Sequence, residues 1–276
     1  MERQDIMALQ PQKDRATRTE PHSLYVGSVE KGFDVLKAFR RGQTEFGLSD
    51  LSLSEIARLA HMDKSAAQRF TNTLVSLGYL AKDPHTRRYR PDVNLVDFYY
   101  TYMVSTRFAE IAMPRMIEAS KVHDTTVNLC ELAGADVIYT IRIPHEKSRF
   151  ESTIPGRRVP AFCTAGGCVI LANLPDGERD AIIAASDRKP ITDHTITDLK
   201  GINNRIAEAR RNMVDVGVNQ VLMNEISTAS PVFNRQGRVV AAVQIPVYQP
   251  QWTLAEAREK IVPLAVETAR SISGSL

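Results

Sequence analysis

Apolar residues recur at helical spacing in two short runs in the first third of the chain. Leu53, Ile56, Ala57 and Ala60 share one face of the first run, and Ala66, Phe70, Leu74 and Leu77 one face of the second. His61-Met62-Asp63 breaks the pattern between them. Ser52 and Glu55 fit a capping box, Asp63 suits the start of the second helix, and Gly78 suits its end. The spacing thus predicts a helix-turn-helix. The polar stripe of the second helix holds Lys64, Ser65, Gln68, Arg69 and Asn72. These side chains match duplex DNA: Arg reads guanine, Gln and Asn read adenine, and Lys and Ser hold phosphate oxygens. The plain alternative is a solvated face of any surface helix.

The pattern then changes period. Tyr79 to Lys82 and Arg87 to Arg90 read as short strands around Asp83-Pro84-His85-Thr86, a hairpin or wing. From His61 to Arg90 the chain carries Lys64, Arg69, Lys82, Arg87, Arg88 and Arg90 against Asp63 and Asp83, a net excess of four positive charges. That concentration suits a phosphate backbone, with Arg87 and Arg88 as wing contacts. Upstream, Val29, Phe33, Leu36 and Phe39 predict a third helix with Ser28 as its cap, followed by a polar connection from Gly42 to Asp50. Downstream, an aromatic helix from Asn94 to Phe108 carries Leu95, Phe98, Tyr99, Tyr102 and Thr106, and is expected to join two domains and to help pair subunits. The domains expected are a disordered tail at 1–22, a winged helix-turn-helix at 23–91, a linker helix at 92–110 and an α+β domain at 111–274.

In that last segment a helix closes at Met116 to Val122. Strands are expected at Thr125 to Leu132, Val137 to Ile143, Val218 to Leu222, Ile226 to Phe233 and Val239 to Val247, with a loop from Pro155 to Pro160. Helices are expected at Ala165 to Asn173, Asp176 to Ala185 and Asp198 to Val216. A last one runs from Thr253 to about Ile272, with Glu256 completing a capping box. Segregated strands and helices predict an α+β arrangement.

Composition adds bounds rather than function. The 276 residues are 43% hydrophobic and 24% charged with a net charge of +3, ordinary for a two-domain protein with real cores. No run approaches the roughly 20 apolar residues of a membrane helix, and the N-terminus has no signal-peptide core. With only Cys130, Cys163 and Cys168, the chain is expected to be cytoplasmic and free of disulfides. No phosphate loop, His-Glu-x-x-His or Cys-x-x-Cys occurs, so no metal or cofactor is expected. Cys163 or Cys168 as the nucleophile of a small-molecule-converting enzyme is the alternative function. No base motif accompanies either thiol, and small buried cysteines beside glycine fit better.

Several stretches in order resemble the IclR family of bacterial transcription regulators, over Leu24 to Ile272. They are Ser28-Val29-Glu30-Lys31-Gly32, Leu53-Ser54-Glu55-Ile56-Ala57, Lys64-Ser65 before Gln68-Arg69, and Leu77-Gly78-Tyr79-Leu80 into Arg88-Tyr89-Arg90. Further on come Gly156, Pro160 and Thr164-Ala165-Gly166-Gly167, then Ala229-Ser230-Pro231-Val232 with Gly237 and Ala241-Ala242. The resemblance implies a winged helix-turn-helix joined by a helix to a GAF-like effector domain. It implies homodimers, often paired into tetramers, that bind double-stranded operator DNA under control of a small organic or aromatic acid, commonly for a catabolic operon. It places Ala165 and Gly166 at a pocket-side helix start, where free N–H groups and the helix dipole suit a carboxylate, with Ser227 and Gln244 facing them. Asn128 adds a polar contact from the first strand. Phe162 and Cys168 replace the family's His and Lys, and the stretch between Gly217 and Ala229 is short and lacks an acidic pair. A less polar pocket, suited to an aromatic or larger acid, is therefore expected.

Overall fold

The computed structural model describes residues 24–145 and 154–276; the tail expected at 1–22 lies outside them. The chain forms two compact units that divide between Thr106 and Arg107.

The N-terminal unit begins with α1 (Gly27–Phe46), α2 (Leu53–Leu59) and α3 (Lys64–Ser76). The N-terminal signals read for α2 and α3 operate. Ser52 Oγ accepts from the Glu55 N–H while Glu55 Oε2 accepts from the Ser52 N–H, and Asp63 accepts from the Ala66 N–H. The expected Ser28 cap does not form. Helix α1 starts at Gly27 behind Val26, with no side-chain cap. It also extends into the expected polar connection as far as Phe46, because Gly42 faces inward against Leu51 and the left-handed Gly47 ends the helix instead. The buried stripes are shifted as well. In α3 they are Ala66, Ala67, Thr71 and Leu74, whereas Leu77 is exposed. Thr71 is tolerated inside because its hydroxyl donates to the Ala67 carbonyl.

Strands β1 (Leu80–Lys82) and β2 (Tyr89–Pro91) form the wing. Leu51 bonds to Tyr89 through both backbone groups and so ties the wing to the start of α2. The Asp83 carboxylate accepts from the His85 and Thr86 N–H groups and shapes the loop. Helix α4 (Val96–Thr106) follows, and Phe98 packs against Tyr79.

The C-terminal unit opens with α5 (Phe108–Val122), a separate helix begun by a left-handed Arg107 rather than a continuation of the aromatic one; it carries Pro114 within it. Next come β3 (Val127–Ala133), β4 (Asp136–Ile143) and β5 (Arg158–Pro160). Then follow α6 (Ala165–Ala172), α7 (Asp176–Ala185) and α8 (Leu199–Asn212). The chain returns through β6 (Asp215–Val218), β7 (Glu225–Phe233) and β8 (Val239–Tyr248). It closes with α9 (Leu254–Glu256), a π-helical turn at Ala257–Ile261 and α10 (Val262–Ser273). The six strands form one antiparallel sheet in the order β5-β4-β3-β8-β7-β6. Helices α5 and α10 cover one face, while α6 covers the other and is backed by α8. Cover on both faces explains why β7 and β8 are almost wholly buried.

Three expectations fail here. The strand expected at Val218 to Leu222 lies earlier, at Asp215–Val218, and residues 219–222 bend instead. The segment from Arg158 to Pro160 pairs with β4 rather than looping. The helix expected to reach Val216 stops at Asn212, because Met213 turns left-handed and Asp215 enters β6.

Candidate functional site

The first site is the outer face of α3. Residues 65, 68, 69 and 72 are three or four apart, so a helix places them in one stripe. Ser65, Gln68, Arg69 and Asn72 are all exposed, with Lys64 at the N-terminal end. Arg87 is exposed in the wing loop, in a left-handed conformation fixed by the bond from its N–H to the Asp83 carbonyl. Arg88 differs from expectation. Its side chain is 20% exposed, and its guanidinium donates to Asp50 Oδ1 at 2.6 Å, the Asp50 carbonyl at 2.9 Å and Glu55 Oε2 at 2.8 Å. Those donors are committed to clamping the wing to the capping box of α2, so Arg88 positions the wing and is not set out for phosphate. Lys82 lies over the Tyr89 ring, and Arg90 is exposed.

The second site is a small cavity between the start of α6 and the sheet. Its walls include Tyr139, Cys163, Thr164, Ala165, Arg205, Gly217, Gln220, Glu225 and Ser227. The free space is about 10 Å³, room for roughly one water-sized group. Thr164 caps α6 by accepting from the Gly167 N–H at 3.0 Å, which leaves the first N–H groups of the helix, at Ala165 and Gly166, without an intrahelical acceptor. Arg205 braces this start. It donates to both carboxylate oxygens of Asp215, at 2.9 and 2.6 Å, and to the Cys163 carbonyl at 2.9 Å.

Of the pocket residues inferred from sequence, Ala165 and Ser227 line the cavity. Gln244 and Asn128 reach it through a buried relay, in which Asn128 Nδ2 donates to Gln244 Oε1 and Gln244 Nε2 donates to Ser227 Oγ. The strand register sets this up, since Gln244 stands opposite Asn128 on one side and Ala229 on the other. Gly166 is glycine for packing reasons: a Cβ there would strike the Cys130 sulfur, and one at Gly167 would overlap the Ala161 backbone.

The expected loss of polarity does not follow from Phe162 and Cys168. Both are buried, Phe162 in the core cluster and Cys168 on α6 itself, and neither is a wall of the cavity. The walls instead carry Arg205, Gln220 and Glu225, which sequence reasoning missed. Burial pushes the Glu225 carboxyl up to about 7, against the opposing pull of Arg157, Tyr248 and Arg142. Burial also pushes Cys163 up to about 12, and Cys168 further. Thiols so placed stay protonated near neutral pH and do not offer a thiolate.

Comparison with known proteins bears on both sites. The family profile described as "Bacterial transcriptional regulator IclR C-terminal" matches residues 100–274, and "IclR helix-turn-helix domain" matches residues 28–84. The chain is 25% identical to the Pca regulon regulatory protein of Pseudomonas putida, over 91% of this chain and 84% of that one. It is 25% identical to the p-hydroxybenzoate hydroxylase transcriptional activator of Acinetobacter baylyi, over 99% and 98%. A crystal structure of a transcriptional regulator from Rhodococcus sp. RHA1 superposes with a TM-score of 0.75 at 28% identity, covering 91% of this chain and 98% of that one.

Proposed function

The chain belongs to the IclR family of bacterial transcriptional regulators, and on that premise we propose which of its residues read DNA and which bind the effector. It is a DNA-binding regulator whose operator binding answers to a small molecule. Lys64, Ser65, Gln68, Arg69 and Asn72 enter the major groove on α3, and Arg87 reaches the flanking phosphates. The observation that carries this reading is the fully exposed polar stripe of a capped helix in a helix-turn-helix, beside a wing with surplus positive charge.

The effector is an organic acid held at the start of α6, with Ala165 and Gly166 offering N–H groups and the Ser227–Gln244–Asn128 relay polar contacts; the cavity must widen to admit it, since its free space is about 10 Å³. Control of aromatic-acid catabolism is supported by the names of two relatives, the Pca regulon protein and the p-hydroxybenzoate hydroxylase activator. The working unit is a homodimer, open to pairing into tetramers. Val96, Phe98, Tyr100 and Val104 on α4, and Val29 and Phe33 on α1, are large apolar side chains left exposed, and contiguous exposed apolar surface marks interaction sites. The protein works in the cytoplasm, where its DNA is, and no described helix is long and apolar enough to cross a membrane. It acts by binding rather than by turning over its ligand.

The test is a gel shift with DNA from beside its own gene, run with and without a series of organic acids. Sequence-selective retardation that an acid strengthens or weakens is the expected result. Retardation of every duplex alike, insensitive to all the acids, would remove the proposal. Arg87→Ala should weaken all sequences equally and make the slope of log affinity against log salt shallower by about one for each bound copy. An unaltered slope would take Arg87 off the phosphate backbone. Arg88→Ala is expected to lower stability instead, because it frees Asp50 and Glu55.

A further inference from the structure

The sheet face beneath α6 carries two polar atoms without hydrogen-bond partners among the described residues, on residues paired in register. Asn128 is 1% exposed, and its Oδ1 accepts no hydrogen bond among the described residues although its Nδ2 donates to Gln244. Arg142 stands opposite it on β4; its Nε is buried without a partner, and its guanidinium lies over the ring of Tyr139, a wall of the cavity. Reversing both amides of the relay only exchanges the unpaired Oδ1 of Asn128 for its Nδ2. A buried polar atom left unpaired costs about 1–3 kcal/mol, and folded proteins keep few of them. No carboxylate forms an ion pair with Arg142 among the described residues. Glu225 acts on it only at longer range, and burial works against its charge.

We propose that Arg142 anchors the carboxylate of the effector and that Asn128 takes a hydroxyl of the same molecule, which makes the effector a hydroxy-substituted carboxylic acid. This rests on reading the cavity as the effector site and on its widening toward Arg142 and Asn128, which lie beside its walls rather than among them. A guanidinium presents a fork of donors matched to a carboxylate. A hydroxyl both donates and accepts, so it satisfies Asn128 in either amide orientation. An acid without the hydroxyl leaves Asn128 unmet, and a neutral amide leaves the charge of Arg142 unmet.

Titration calorimetry on the full chain tests this with lactate and with ortho-, meta- and para-hydroxybenzoate. Each is run beside its deoxy parent acid, propionate or benzoate, and beside its neutral carboxamide. At least one hydroxy acid should bind roughly tenfold or more tightly than both of its controls, because a site built around a polar group rejects the analogue lacking it. Arg142→Met should abolish the preference for acid over amide, and Arg142→Lys should retain part of it. Asn128→Leu should abolish only the preference for the hydroxyl. Thermal melts of each variant separate lost binding from lost folding. Failure of every hydroxy acid to outbind its controls overturns the proposal, as does a full acid preference in Arg142→Met. Gel shifts on the same samples tell the two readings apart. If acids alter operator binding in wild type and Arg142→Met alike, the effector site stands and the anchor falls. If they alter neither, the effector site falls as well.

Discussion

Arg205→Ala should destabilise the C-terminal unit by about 3–5 kcal/mol, the range seen when one partner of a buried ion pair is removed. Asp215 is 6% exposed, and both of its oxygens accept from Arg205. Without the guanidinium its charge has no partner and almost no water. For a unit of this size, that loss lowers the melting midpoint by roughly 6–20 °C, which calorimetry on the full chain reads directly. Replacing both residues, Arg205→Met with Asp215→Leu, should recover most of the loss, because an apolar pair leaves no stranded charge. A single substitution costing less than about 1 kcal/mol would place the pair among surface-like bridges and refute this account. The contact also matters for binding. Arg205 holds the Cys163 carbonyl immediately before the cap of α6, so Arg205→Lys, which keeps a charge but loses the fork, should weaken effector binding more than it weakens the fold.

The same pair shows where sequence reasoning stops. Helical spacing through Ile202, Ile206, Ala209 and Met213 was legible; the first three are buried, whereas Met213 is exposed. Nothing in the period announced that Met213 would turn left-handed and send Asp215 into a strand. A buried strand carboxylate therefore fell within the expected helix. Arg142 was hidden by a different device. Simple alternation along β4 sets Tyr139 and Arg142 on opposite faces. The register slips between Leu129 and Cys130, so Thr140 is an extra residue and the two side chains meet on one face. Local signals fared better. The capping boxes at Ser52 and Thr253, and the Asp63 cap, depend on residues three apart and were readable without tertiary knowledge. Arg88 looked like its neighbour Arg87 because exposure is not written in a run of two arginines. Only the fold brings Asp50 and Glu55, far back in the chain, against one of them.

Arg69→Ala should cost operator binding about 1–3 kcal/mol, roughly 5- to 150-fold in Kd, and relax the preference at one base position of each half-site. The argument begins with position. Arg69 lies one turn into α3, beyond Ser65 on the same stripe, where a recognition helix meets base edges in the major groove. It continues with availability: unlike Arg88, the Arg69 guanidinium makes no hydrogen bond or ion pair among the described residues, so nothing in the protein must be broken for it to reach a guanine. A bidentate pair to one base adds discrimination, whereas a phosphate contact adds none. Affinity measured against single-base variants of the operator separates the two cases. If Arg69 reads a base, wild type discriminates at that position and Arg69→Ala does not, with little change in salt slope. If the substitution weakens all variants equally and flattens the slope, Arg69 holds phosphate and Gln68 or Asn72 must carry the reading. Gln68→Ala in the same assay then decides, because a side-chain amide selects adenine and its loss relaxes a different position.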